Sequence, residues 1–382
     1  MMGGTRSRRV VLLLLLVVGV AARAASGVVT GGLLPNGNFE QGPVRPDASQ
    51  LNGTRVTSPN AIPNWEISGF VEYIGSGQKQ DDMILPVPEG EKAVRLGNDA
   101  TVRQLLSVTR KAYYSVTFCA ARTCAQAEKL NVSVGPENGV LPIQTVYSSS
   151  GWDSFSFAFR ARHSTLWLTI HNPGAEEDPA CGPLIDSVAI KKLSPPPREK
   201  GNMLRNGDFE EGPYIFPGTA WGALVPPMDE DDVCPLPGWT VMSDTKVVKY
   251  VDAAHHAVPR GARAVELVAG REAALVQEVA TTPGRWYAMS FSVGDAGNGC
   301  AAEAMVVEAY AARATARVAY ESRGTGGSRR ASLEFAAVEK VTRVVFQSYN
   351  HHMKPDGTLC GPVVDDVSLV SVRKRAARRL FM

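Results

Sequence analysis

Long hydrophobic runs are scarce in this 382-residue chain. The one that stands out, Val10–Val20, follows the arginine-bearing Met1–Arg9 and precedes an Ala-x-Ala pattern at Ala22–Ala24. Such a run is too short to span a bilayer comfortably, so residues 1–25 read as a secretory signal peptide. No second run follows, which argues against a membrane span or a lipid-anchor tail. Catalytic signatures are missing as well: there is no Gly-x-Ser-x-Gly elbow, His-Glu-x-x-His helix or phosphate loop. The six histidines include the adjacent pairs His255–His256 and His351–His352, and neighbours on a strand point to opposite faces, a poor arrangement for chelation. The acidic run Asp229–Asp232 sits among prolines and reads as a solvated loop, because glycosidase carboxylates need separate, fixed supports. The expectation is a protein that is not an enzyme.

A basic stripe is lacking too. The signal peptide takes four of the 40 lysines and arginines, leaving 36 against 38 acidic residues. Five of those 36 lie between Arg373 and Arg379. A mildly acidic body with a basic tail, residues 373–382, does not suit a nucleic-acid partner. Against the acidic body, that tail is the segment fitted to attract a polyanion.

What the chain does have is an internal repeat. Asn36–Pro43 (NGNFEQGP) returns as Asn206–Pro213 (NGDFEEGP). In the same order Ile62–Ile67 answers Leu236–Val241, Val87–Leu96 answers Val258–Leu267, Tyr113–Phe118 answers Trp286–Phe291, and Cys181–Ile190 answers Cys360–Leu369. Two copies of one domain follow, over residues 26–192 and 202–372, each the size of a single core. The proline-rich stretch 193–201 is the linker. Within each copy, short runs alternate with period two, as in Ser154–Phe159 and Leu166–His171. The alanine-rich Ala301–Ala316 aligns with an alternating segment and reads as strand. The fold class is all-β: two tandem jelly-roll β-sandwich domains.

Six cysteines fit an oxidising compartment. Cys124 aligns with Cys300 and Cys181 with Cys360, so the simplest pattern is one bridge per domain, Cys124–Cys181 and Cys300–Cys360. Cys119 and Cys234 have no counterpart; they are free, paired together, or exchange with the other bridges. Asn52 and Asn131 head glycosylation sequons.

Sugar binding needs aromatic and planar polar side chains on an exposed sheet face. Period two puts Trp167, Thr169 and His171 on one side of their strand, with Gln347 and Tyr349 on the matching side of the second copy. A surface packed by neighbouring loops is the alternative. Trp65 and Trp239, at one repeat position, read as core, as do Tyr113 and Trp286, while Trp152 and Trp221 read as exposed. Each copy also opens with a glutamate and closes with an aspartate. If first and last strands are neighbours, Glu40 approaches Asp186 and Glu210 approaches Asp365. Facing carboxylates need a proton or a cation between them, and calcium takes such oxygens. The other arrangement pairs each glutamate with a lysine or with backbone amides at the rim.

The doubled NGxFExGP, (I/L)PxW and CGPxxDxV motifs resemble the plant cell-wall proteins of domain of unknown function 642. The likeness covers nearly the whole chain after residue 25. It implies tandem galactose-binding-like jelly rolls and a structural calcium in each domain at the Glu40–Asp186 and Glu210–Asp365 pairs. It also implies a secreted apoplastic protein that binds wall polysaccharide, pectin or cellulose, with pectin methylesterase as a protein partner. A protein-interaction ectodomain without a sugar site, or an unrecognised polysaccharide hydrolase, is the alternative.

Overall fold

The computed structural model describes residues 27–43, 50–80, 83–124, 128–135, 137–143, 150–174, 181–196, 201–227 and 233–373. Residues 1–25, read above as a signal peptide, the tail beyond Arg373 and the acidic run Asp229–Asp232 lie outside them. Each repeat folds as two antiparallel sheets face to face. In module 1 the inner sheet runs Arg55–Val56, Val71–Gly75, Lys92–Leu96, Leu184–Leu193, Tyr113–Ala121 and Trp152–Arg160. The same order recurs in module 2 as Ala223–Val225, Val248–Asp252, Arg263–Glu266, Pro362–Val372, Trp286–Asp295 and Ser328–Ala336.

The outer sheets have five strands each. Module 1 orders them Glu137–Ile143, Glu128–Val134, Thr165–His171, Thr101–Ser107 and Glu66–Ser68; module 2 orders them Ala314–Arg323, Ala301–Ala311, Val341–Ser348, Ala274–Ala280 and Thr240–Met242. The alanine-rich segment is therefore strand, broken by the left-handed Ala312 (φ 53°). Its tertiary setting overrides the helix propensity of alanine. Between the sheets lie two aromatic cores, one around Trp65, Phe118 and Phe157, the other around Trp239, Phe291 and Phe346.

The repeated octapeptide turns out to be a plug at the end of each core. Asn36 and Phe39 adopt left-handed backbone (both φ 53°), as do Asn206 and Phe209 (both φ 52°), a conformation asparagine tolerates better than most. The Asn36 amide donates to the Gln41 and Pro63 carbonyls, and its Oδ1 accepts from the Gln41 N–H. That tight turn drives Phe39 inward against Trp65, with ring centroids 5.0 Å apart. The Trp65 indole in turn donates to the Asn36 carbonyl at 2.8 Å. In module 2 Phe209, Trp239 and Asn206 repeat this arrangement. Gly37 is demanded by close approach: a Cβ there would lie 2.2 Å from the Val188 carbonyl oxygen of the closing strand.

Disulfides join Cys124 to Cys181 and Cys300 to Cys360, with Cα atoms 5.5 and 6.1 Å apart. Cys119 and Cys234 are free thiols. Burial raises both thiols above their ordinary value, Cys234 to about 11, which leaves them protonated and poorly nucleophilic.

The modules are not beads on a string. Strand Trp152–Arg160 of module 1 pairs in parallel with Ala223–Val225 of module 2, with Phe155 opposite Leu224. The two inner sheets thus become one. Ser156 Oγ donates to the Leu224 carbonyl, Lys191 Nζ to the Gly212 carbonyl, and the Trp221 indole to Ser154 Oγ at 2.8 Å. Phe216 enters a cluster with Ile74, Leu85, Cys119, Trp152 and Leu184.

This junction corrects the sequence reading of the tryptophans. Trp152 is 1% exposed, and Trp221 is half-buried against the same cluster. Tyr113 is 41% exposed and Trp286 only half-buried, because both begin their strands at the rim. Among the described residues, the second copy of the docking strand, Ser328–Ala336, has no such neighbour in the sheet order. By cross-strand register it carries Arg330 and Glu334 where the docked strand has Ser154 and Ala158. Charge on an open edge discourages further pairing.

Candidate functional site

The outer sheets are built so that one side of each strand feeds the core and the other meets solvent. In module 1, Leu166, Leu168 and Ile170 point inward while Trp167, Thr169 and His171 are half-buried on the outside. Trp167 does not offer a bare ring. The Arg103 guanidinium lies 4.5 Å from its centroid and is anchored to Glu66 Oε2 through Nε (3.2 Å) and a terminal nitrogen (2.9 Å). His171 Nδ1 is 2.9 Å from Thr101 Oγ1.

Module 2 places a denser network on the same face. Glu308 is fully covered. It accepts from Arg317 Nε (2.7 Å), the Tyr310 hydroxyl (2.7 Å) and Gln347 Nε2 (3.0 Å), with Arg271 3.3 Å away. Burial works against the charged carboxylate, but the hydrogen bonds from Tyr310 and Gln347 and the charge of Arg271 outweigh it, and its pKa falls below the ordinary value. Arg271 and Arg317 both lie over the Tyr349 ring, 3.9 and 4.9 Å from its centroid, a cation–π seat for each. About half or more of each arginine side chain is exposed. Arg271 also borders a cleft of about 490 Å³ formed with Met242–Lys246 and Glu272.

Sequence reasoning found Gln347 and Tyr349 but missed Glu308, Arg317, Arg271, Arg103 and Glu66. Arg271 lies in a one-turn 3-10 helix, Gly270–Glu272, remote in sequence from the strands it serves. Glu308 and Arg317 did leave a signal: charged residues at outward positions of two adjacent alanine-rich strands. The register also shifts the match between copies. His171 aligns with Gln347, and Trp167 with Arg343, so the aromatic positions of the two faces are not equivalent.

Of the sequons, the Asn52 side chain lies outside the described residues. Asn131 sits mid-strand, half-buried, on the outer face opposite His171.

The paired carboxylates take a different form from simple face-to-face contact. Glu40 Oε1 accepts the amides of Glu91 (2.8 Å) and Lys92 (2.9 Å); Glu210 Oε1 does the same with Ala262 (2.7 Å) and Arg263 (3.2 Å). Each glutamate therefore pins the start of an inner strand. Asp186 is fully buried; its Oδ1 accepts the Ser187 amide, and the Glu89 backbone amide also turns toward its carboxyl group. Burial first, then the charges of Glu89 and Glu40, push it up to about 9. Asp365 has both oxygens on amides, of Asp366 and Arg260, and burial lifts it to about 7. The charges differ around the two. Arg260, at the place of Glu89, pairs with Asp366 in module 2. No three acidic, cysteine or histidine side chains converge as a metal-ligand set among the described residues.

The family model for the protein of unknown function DUF642 matches residues 32–191 and 202–370, one match per module. The chain belongs to the DUF642 family. It is similar to the Arabidopsis thaliana protein DUF642 L-galactono-1,4-lactone-responsive gene 2, 57% identical over 90% of this chain and 92% of that one. The Arabidopsis protein TEEBE is 45% identical over the same shares. Among solved structures, the tandem CBM22 domain of Paenibacillus barcinonensis Xyn10C covers 91% of this DUF642 chain and 100% of its own (12% identity, TM-score 0.29). The ANX2 ectodomain of Arabidopsis thaliana covers 80% and 89% (7% identity, TM-score 0.29).

Proposed function

We propose that this DUF642 protein is secreted to the plant cell wall and binds wall polysaccharide without turning it over, through the outer sheet face of module 2. The observation that carries the reading is the pair Arg271 and Arg317, both seated on Tyr349 and both tied to the covered carboxylate of Glu308. A guanidinium fixed in this way keeps donors directed outward and loses little entropy when it meets a ligand. Two such groups suit the carboxylates of pectin better than a neutral glucan such as cellulose. Aromatic rings already covered by guanidinium favour charged and hydrogen-bonded contact over stacking on a sugar ring. Pectin methylesterase, the protein partner that family resemblance implies, would then meet the protein on its substrate.

The test is binding of the secreted chain to de-esterified pectin, methylated pectin and cellulose, for the wild type and Arg271→Ala/Arg317→Ala. The reading expects de-esterified pectin to be preferred and the double variant to lose at least tenfold in affinity. Equal binding to all three polymers, untouched by the substitutions, would overturn it.

A further inference from the structure

Cross-strand register lets the two outer faces be compared row by row. One row of module 1 runs Val140, Asn131, His171, Thr101, Ser68. The same row of module 2 runs Arg317, Glu308, Gln347, Ala274, Met242. Asn131 thus stands where module 2 has Glu308, the carboxylate that organises its arginines. Asn131 is also the acceptor residue of the sequon Asn131-Val132-Ser133.

Leu130, Val132 and Val134 are fully buried in the core, so Asn131 and Ser133 face outward on the side of Trp167, Thr169 and His171. Their surroundings differ from those of Glu308. The cross-strand neighbour is the 58% exposed Val140 in place of an arginine. Asn131 Oδ1 is buried and accepts no hydrogen bond, so the amide oxygen anchors no network of the kind that Glu308 organises. Asn131 and Ser133 are both half-buried, with the exposed Val140 beside Asn131; sequons are more usual in loops.

We propose that Asn131 carries an N-linked glycan that lies across the module 1 outer face, leaving the module 2 face as the exposed polysaccharide contact. In the transfer, the Asn131 Nδ2 displaces the diphosphate of a lipid-linked oligosaccharide donor. One N–C bond forms, one C–O bond breaks, the amide loses a proton, and no oxidant or reductant is required. From Asn131, opposite His171, the first sugars need extend only along one strand: Trp167 is four residues away, roughly 13 Å. The division of labour rests on the polysaccharide-binding reading above; the glycan itself does not.

The experiment uses the full chain secreted from plant cells, as wild type, Asn131→Gln and Ser133→Ala. Glycopeptide mass spectrometry reads occupancy at Asn131, and hydroxyl-radical footprinting reads access to Trp167 and His171. Expected are a glycan on the wild-type peptide, its loss in both variants, and labelling of Trp167 and His171 at least threefold faster in Ser133→Ala. An unmodified Asn131 in the wild-type protein, or equal labelling of the two proteins, would overturn the proposal. Pectin binding by Arg271→Ala/Arg317→Ala is scored separately, so failure of the binding site is distinguishable from failure of the glycan shield.

Discussion

Glu308 Oε1 and Arg317 Nε meet at 2.7 Å across the turn that joins their two strands. The carboxylate is fully covered while 62% of the arginine side chain is exposed, so the pair works as a mount: the buried end fixes the geometry and the wet end remains available. Glu308→Gln keeps the shape but removes the charge that holds Arg317 and Arg271. Loss of charge-assisted hydrogen bonds costs about 1–3 kcal/mol, and exposure of the arginines places this pair toward the lower end. Because the Glu308 pKa is depressed, its contribution is complete above the ordinary carboxylate value and fades as pH falls through the folded one. Thermal melts of wild type and Glu308→Gln should therefore differ at pH 7 and converge in acid.

Gly207 sits at the octapeptide turn of module 2, and a Cβ there would lie 2.0 Å from the Val367 carbonyl oxygen. That oxygen belongs to the closing strand and cannot yield as a flexible side chain would. Gly207→Ala is expected to cost more than about 2 kcal/mol, as backbone displacement in a packed core does. Gly218→Ala, where nothing lies within 4 Å, serves as the control and should leave the denaturation midpoint nearly unchanged.

Much of this architecture was legible because it rests on local rules stated twice. Period-two alternation revealed the outer strands, and the doubled cysteines revealed the bridges. The strand reading of Ala301–Ala316 came from its aligned partner and not from its own composition. What could not be read was anything formed between segments that do not repeat. Phe155 meets Leu224 only because the modules dock, and the same docking packs Phe216 against Trp152, which had looked exposed. The site was half-legible for the same reason. Parity reveals which side Gln347 faces, but Arg271 reaches Glu308 from a separate turn, a relation that only the fold creates.

The closing aspartates make opposite predictions with and without calcium. Asp186 at about 9 and Asp365 at about 7 hold protons in the folded state at pH values where the unfolded chain has released them. Their contribution is full below the unfolded carboxylate value, near 3.9, and is lost as pH rises toward 7 for Asp365 and toward 9 for Asp186. In chelator, the melting temperature should fall between pH 5 and pH 8, and Asp186→Asn should flatten that slope. Calcium at these positions remains our proposal: a bound cation takes over the role of the proton. Added calcium should then raise the melting temperature more at pH 8 than at pH 5. A melting temperature insensitive to calcium at both pH values would reject the metal while leaving the proton reading in place.

The docked modules should also unfold as one body. Phe216 belongs to module 2, yet it is buried among Ile74, Leu85, Ala93, Trp152 and Leu184 of module 1. Truncating it therefore strikes the junction without hollowing the core around Trp239. A buried phenylalanine reduced to alanine costs about 3–5 kcal/mol, and here that loss falls on the coupling between modules. Trp221→Ala removes the hydrogen bond to Ser154 and part of the same contact, with a smaller effect because Trp221 is half-exposed. Calorimetry of the wild type should show a single transition, since separating the modules would expose the Phe155–Leu224 strand edge and the Phe216 pocket together. Phe216→Ala should split it into two transitions, with module 1, which loses the cover over Trp152, melting first. Two independent transitions already present in the wild type would show that the continuous sheet does not couple the modules.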